Sequence, residues 1–179
     1  MANCEKILIA GFSGAGKTSL LTEVKASAPG GWTEFLDLDQ QVLEIWGSSD
    51  RTLAGMIDKI GWKRFRELEY QELMNWIVTS KGGVLALGGG TLTADVYQKL
   101  QLLPELKVIY LHAEFETCWN RLNSGSSEER PQVRKGKQEL EELYQRRAAI
   151  FQQVPISLEN REETSLPVLA SQFWAKLLG

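Results

Sequence analysis

A short apolar run, Ile7, Leu8, Ile9 and Ala10, stops at a glycine-rich turn that ends in Lys17-Thr18, and no other stretch limits the possible folds as much. Gly11, Gly16, Lys17 and Thr18 match the pattern G-x-x-x-x-G-K-[ST], with a strand-like run before the turn and a helix-compatible run after it. Gly11, Gly14 and Gly16 carry no Cβ, so backbone N–H groups can curl round a phosphate that sits at the positive end of the next helix. Lys17 adds a full charge for β- and γ-phosphates, and the Thr18 hydroxyl can ligate Mg2+. A glycine-rich turn with a solvated lysine is the plainer reading, and the flanking strand and helix argue against it.

Further apolar runs at Phe35–Leu38, Val84–Leu87, Leu106–Leu111 and Pro155–Leu158 read as strands. Between them, helical spacing predicts helices over Thr18–Ala26, Gln40–Trp46, Thr52–Ile60, Trp62–Thr79, Ala94–Leu102, Glu114–Leu122, Lys137–Gln153 and Leu166–Leu178. Continuous apolar strands alternating with helices predict an α/β fold: a three-layer parallel sheet with helices on both faces. Ligands of such sheets bind at the carboxyl ends of the strands, so Gly11–Thr18, Asp37, Asp39 and Gly88–Gly90 should meet in one crevice.

The chain of 179 residues is long enough to bury about 70% of its unfolded surface without a disulfide or metal staple, so one domain over 1–179 is expected. Twenty basic against twenty-three acidic residues leave a formal net charge of −3, which argues against nucleic acid or an anionic membrane as partner and for a small molecule. Cys4 and Cys118 lack C-x-x-C spacing and read as free thiols of a reducing compartment. No secretory leader and no transmembrane-length run is visible, so a cytoplasmic protein is expected. His112 is the single histidine, which rules out paired-histidine zinc sites and leaves a structural role for it. The six tryptophans read chiefly as packing residues.

Asp37 and Asp39 would share one face if the strand ran through both, which suits a Mg2+ site beside a contact to an attacking hydroxyl. Alternatively Asp39 simply caps the helix from Gln40. Arg66 and Glu69, three apart on a helix, are either a surface pair or a fixed guanidinium that grips a carboxylate through two hydrogen bonds. Gly88, Gly89 and Gly90 make an ordinary turn or a close approach of backbone to ligand. Arg130 in the polar segment and Arg146-Arg147 on the next helix are solvated or neutralise phosphate.

In this order and at this spacing, GFSGAGKTS, Asp37-Leu38-Asp39, FRELE, LALGGGT and the Arg-Pro and Arg-Arg segments resemble the shikimate kinase family over nearly the whole chain. The resemblance implies a phosphate-loop kinase of the nucleoside-monophosphate-kinase-like kind, with a lid at about 123–136, that moves the γ-phosphoryl of ATP to the 3-hydroxyl of shikimate in the route to aromatic amino acids. It implies that Gly11, Ser13, Gly14, Ala15, Gly16, Lys17, Thr18 and Ser19 hold ATP, with Arg130 reaching the phosphates and Arg161 in an adenine-side loop that Asn160 begins. Asp39, Lys17 and Arg130 would be catalytic, and Thr18 and Asp37 would support Mg2+. Asp39, Arg66, Glu69, Gly88, Gly89, Gly90 and Arg147 would bind shikimate, Arg66 and Arg147 at its carboxylate. A monomer is expected. A gluconate kinase or an inactive ATP-binding regulatory module are the competing readings; a GTPase would need an N-K-x-D segment that the chain lacks.

Overall fold

Five parallel strands, in the order β2-β3-β1-β4-β5, make the central sheet of the computed structural model, which describes residues 5–47, 52–124 and 136–179. They are β1 (Lys6–Ala10), β2 (Phe35–Asp37), β3 (Gly83–Ala86), β4 (Leu106–His112) and β5 (Ile156–Glu159). The helices are α1 (Lys17–Ala26), α2 (Leu38–Trp46), α3 (Leu53–Thr79), α4 (Ala94–Leu100), α5 (Phe115–Asn123), α6 (Lys137–Phe151) and α7 (Leu166–Leu178). The expected α/β architecture is present. β1 lies in the middle, paired Ile7 to Val84 on one side and Ile7 to Lys107 on the other.

Side chains alternate across a strand, so β1 feeds two cores at once. Ile7 and Ile9 pack with Leu20 and Val24 of α1 and with Leu169 and Phe173 of α7. Leu8 and Ala10 join the larger core, with Phe65, Leu68 and Leu73 of α3 and Leu140 of α6. Ile7, Leu8, Ile9 and Ala10 are all fully buried, which explains why the run is apolar without alternation. The connection from β1 leads toward β2, while that from β4 leads toward β5. The carboxyl ends of β1 and β4 therefore open at the switch point where a ligand crevice forms.

Two boundaries differ from expectation in ways that matter. β2 ends at Asp37 and Leu38 already belongs to α2, so Asp37 and Asp39 do not share a strand face. Asp37 rather than Asp39 caps the helix: its Oδ1 accepts from Asp39 N at 3.0 Å and Gln40 N at 3.3 Å. The two helices expected on either side of Gly61 are joined as α3, with non-helical backbone at Gly61 (φ 76, ψ 158). This conformation is open to glycine and strained for any residue with a Cβ. Gly61→Ala is expected to cost about 1–3 kcal/mol and to lower the melting temperature by several degrees, measured by thermal denaturation.

The tryptophans mostly pack as expected. Trp76 is buried, and Trp32 meets Trp174 edge-on with centroids 5.0 Å apart. Trp62 is the exception that faces the crevice. His112 ties strands and helix together: Nδ1 lies 2.7 Å from Glu159 Oε2 and Nε2 3.2 Å from the Tyr144 hydroxyl. Cys118 is buried and unpaired, its thiol pushed up to about 11 chiefly by burial, while Cys4 lies outside the described residues. Among the described residues no helix is long and apolar enough to cross a membrane.

Candidate active site

The turn after β1 reaches α1 through Gly16, which holds a left-handed conformation (φ 94) at the helix N-cap. A Cβ there would fall 2.6 Å from Asn160 Nδ2, which itself donates to Ala15 O at 2.6 Å. Asn160 thus clamps the loop from the end of β5, and Arg121 of α5 donates to Ala15 O at 3.4 Å. Lys17 is buried, and its Nζ donates to Gly11 O and Phe12 O at 3.0 Å each. Burial pulls its pKa below the usual lysine value, while the carboxylates of Asp39 and Asp37 act in the opposite sense.

Thr18 Oγ1 donates to Asp37 Oδ2 at 2.7 Å, which joins the first turn of α1 to the end of β2. These two oxygens suit Mg2+, a hard cation that keeps water and phosphate among its ligands. Among the described residues there is no group of three or more His, Cys, Asp or Glu that could hold a metal ion.

Asp39 stands in the first turn of α2, with Oδ1 buried and without a hydrogen-bond partner among the described residues. Its carboxyl is raised to about 7, first by burial and then by the negative charges of Glu69 and Asp37, against the pull of Lys17 and Arg66. A carboxylate with a free buried oxygen and a pKa near neutrality can take a proton from a bound hydroxyl.

On α3, Arg66 Nη1 pairs with Oε2 of the buried Glu69, and the other oxygen of Glu69 accepts from Thr91 Oγ1 at 2.7 Å. The pair is therefore not an ordinary surface pair. On α6, Arg147 Nη1 donates to Gly89 O at 2.7 Å and its guanidinium lies 5.6 Å from the Phe12 ring. Burial, and then the charge of Arg66, lower its pKa to about 10. Its neighbour Arg146 is exposed and lies 3.9 Å from Glu142.

The glycine turn after β3 lets these groups meet. A Cβ on Gly90 would sit 2.6 Å from Arg147 Nη2 and against Arg66 Nη2, so the free edges of both guanidiniums converge there. A Cβ on Gly88 would lie 2.5 Å from Asp39 Oδ1 and against Glu69 Oε1, and one on Gly89 would lie 2.7 Å from Ser13 N. The turn thus touches the aspartate, the arginines and the phosphate loop at once.

A cavity of about 680 Å³ opens over this assembly, lined by Ser13, Gly14, Gly16, Lys17, Thr18, Ser19, Asp37, Asp39, Arg66 and Gly89 among others. The expected convergence on one crevice is therefore observed. Arg161 lines a second cavity of about 350 Å³ with His112 and Asn160. Arg130 lies outside the described residues. Thr91, Arg121 and Trp62 were not singled out in the sequence; Arg121 offered only a lone charge on a helix, and Thr91 only its place after three glycines.

A five-stranded parallel sheet of this order, with a lysine-bearing glycine loop at its switch point and an acceptor side facing it, defines a phosphate-loop kinase of small molecules. The family model for shikimate kinase matches residues 13–177, and the chain belongs to the shikimate kinase family. It is 28% identical over 158 residues to the shikimate kinase of Dictyoglomus turgidum, covering 85% of this chain and 87% of that one. It is 30% identical over 152 residues to that of Enterococcus faecalis, covering 83% and 84%. Among solved structures, shikimate kinase from Acinetobacter baumannii in complex with shikimate aligns with a TM-score of 0.80 at 26% identity, covering 98% of this chain and 93% of that one.

Proposed function

We infer that the chain transfers the γ-phosphoryl of ATP to the 3-hydroxyl of shikimate, giving shikimate 3-phosphate and ADP. The observation that carries this reading is the convergence of the Arg66 and Arg147 edges on Gly90, with Arg66 lining the same crevice as Asp39 and Lys17. Two guanidiniums facing one point hold an excess of positive charge that a carboxylate neutralises, through charge-assisted hydrogen bonds. With the carboxylate anchored there, Asp39 accepts the proton of the hydroxyl as its oxygen attacks the γ-phosphorus and the bond to the ADP oxygen breaks. Lys17 and the loop N–H groups stabilise charge on the phosphoryl oxygens. Thr18 and Asp37 would hold Mg2+, which would supply neutralisation of the nucleotide's phosphate charge. A single-domain, monomeric, cytoplasmic enzyme is part of the same proposal.

A coupled assay of ADP release over shikimate, quinate, gluconate and AMP tests it. Turnover greatest with shikimate is the expected result; gluconate or AMP winning, or no turnover with any acceptor, would overturn it. Arg66→Lys is expected to raise the KM for shikimate by about 10–100-fold, the equivalent of one charge-assisted hydrogen bond, because a point charge cannot pair with Glu69 and a ligand carboxylate in the same plane. The KM for ATP should change little. Equal effects on both substrates would count against a carboxylate contact at Arg66.

A further inference from the structure

We propose that Trp62 is a positioning and specificity residue of the acceptor side, which holds the Arg66 guanidinium on its indole face and favours a ring-shaped acid over an open-chain one. The inference rests on the acceptor reading above and goes beyond it to a residue outside the phosphate, aspartate and arginine machinery.

The break at Gly61 starts the second part of α3 at Trp62, and Arg66 follows four residues later, one helical turn along. The Arg66 Cζ atom lies 5.1 Å from the Trp62 ring centroid and 5.5 Å from that of Phe65. Trp62 and Phe65 meet edge-on, with centroids 6.0 Å apart and planes at 85°. The guanidinium therefore has Glu69 on its Nη1 edge and aromatic rings beside its plane, which leaves Nη2 aimed at Gly90. Glu69 alone would fix one edge and allow rotation about it. A neighbouring ring restrains the plane as well, and attraction between a cation and an indole adds to the restraint.

Trp62 is only half-buried, so it is not a core anchor like Trp76. Leu53, Ile57, Trp62 and Phe65 share the lining of the cavity with Asp39 and Arg66. An acid bearing a hydroxyl on every carbon of an open chain would bring hydroxyls against this apolar wall without partners for them. A cyclic acid can lay C–H groups on the indole and keep its hydroxyls toward Asp39.

The test compares the wild-type protein with Trp62→Phe, Trp62→Leu and Trp62→Ala by calorimetric titration with shikimate and by kinetics on shikimate, gluconate and ATP. Trp62→Leu, which keeps apolar bulk but has no ring, should raise Kd and KM for shikimate about tenfold and leave the KM for ATP within about twofold. Trp62→Phe should recover most of that loss, and the preference for shikimate over gluconate should narrow severalfold in Trp62→Leu. Should Trp62→Ala fail to fold, the Phe and Leu variants decide the matter. Unchanged shikimate binding in Trp62→Leu, or equal rises in both KM values, overturns the role of Trp62 while the acceptor reading stands. Absence of shikimate binding by the wild-type protein overturns the acceptor reading, and the inference with it.

Discussion

Asp39→Asn is expected to lower kcat with shikimate by about 10²–10⁴-fold, the usual contribution of a positioned general base, while calorimetry still detects ATP binding close to that of the wild type. Asn keeps the shape and loses the ability to take a proton. The pH profile gives a second signature. With the Asp39 carboxyl at about 7 in the protein, the wild-type kcat/KM for shikimate should rise as pH increases through neutrality, because the ionised form accepts the proton. The variant's residual activity should lack that limb. Substantial turnover retained in Asp39→Asn would refute the proposed role.

The same substitution should stabilise the fold, and the sign follows from linkage. Between about pH 4 and pH 7 the folded protein holds a proton on Asp39 that the unfolded chain has released, so stability falls as pH rises through that window. Above it both states are ionised and the full cost is present. Asparagine removes that cost, in which the attraction of Lys17 is already counted, for a net gain in stability. Chemical denaturation should show this gain at pH 8 and little of it at pH 4. A variant less stable than wild type at pH 8 would show that Asp39 contributes more by its contacts than its burial costs.

How far the sequence could be read depended on whether a feature was local. The phosphate loop was legible because glycine, lysine and threonine at fixed offsets are what a backbone phosphate cradle requires. The strands were legible as apolar runs, but their order is set by pairing over long separations, such as Ile7 with Val84. The acid pair was legible as a pair and wrong in geometry. Asp37 and Asp39 look like alternate strand residues, yet a strand that stops at Asp37 makes it a helix cap and turns Asp39 into the crevice from the first turn of α2. Arg66 and Glu69 were ambiguous because burial, not spacing, decides what such a pair does. Thr91, which holds Glu69 from 22 residues away, could be found only once the sheet had brought β3 beside α3. Gly61 reads as a helix breaker, but nothing in the sequence says that the break aims Trp62 at Arg66.

Lys17→Met should reduce kcat by about 10²–10³-fold, as removal of one preorganised charge from a phosphoryl-transfer site does, and should also weaken ATP binding. The ammonium donates to Gly11 O and Phe12 O, carbonyls of its own loop, so the loop holds the charge in place. Methionine keeps most of the apolar stem of lysine and removes the charge together with the donors to Gly11 O and Phe12 O. Loss of the charge has a consequence at Asp39, because the Lys17 charge, ahead of Arg66, holds that carboxyl down against burial. The pH midpoint of whatever activity remains should therefore move upward from the wild-type value near 7. Two substitutions that act through one shared pair do not add. The double variant Lys17→Met/Asp39→Asn should accordingly be far more active than the product of the single losses. Full additivity in kcat, together with an unmoved midpoint in Lys17→Met, would mean that donor and acceptor halves of the site work independently.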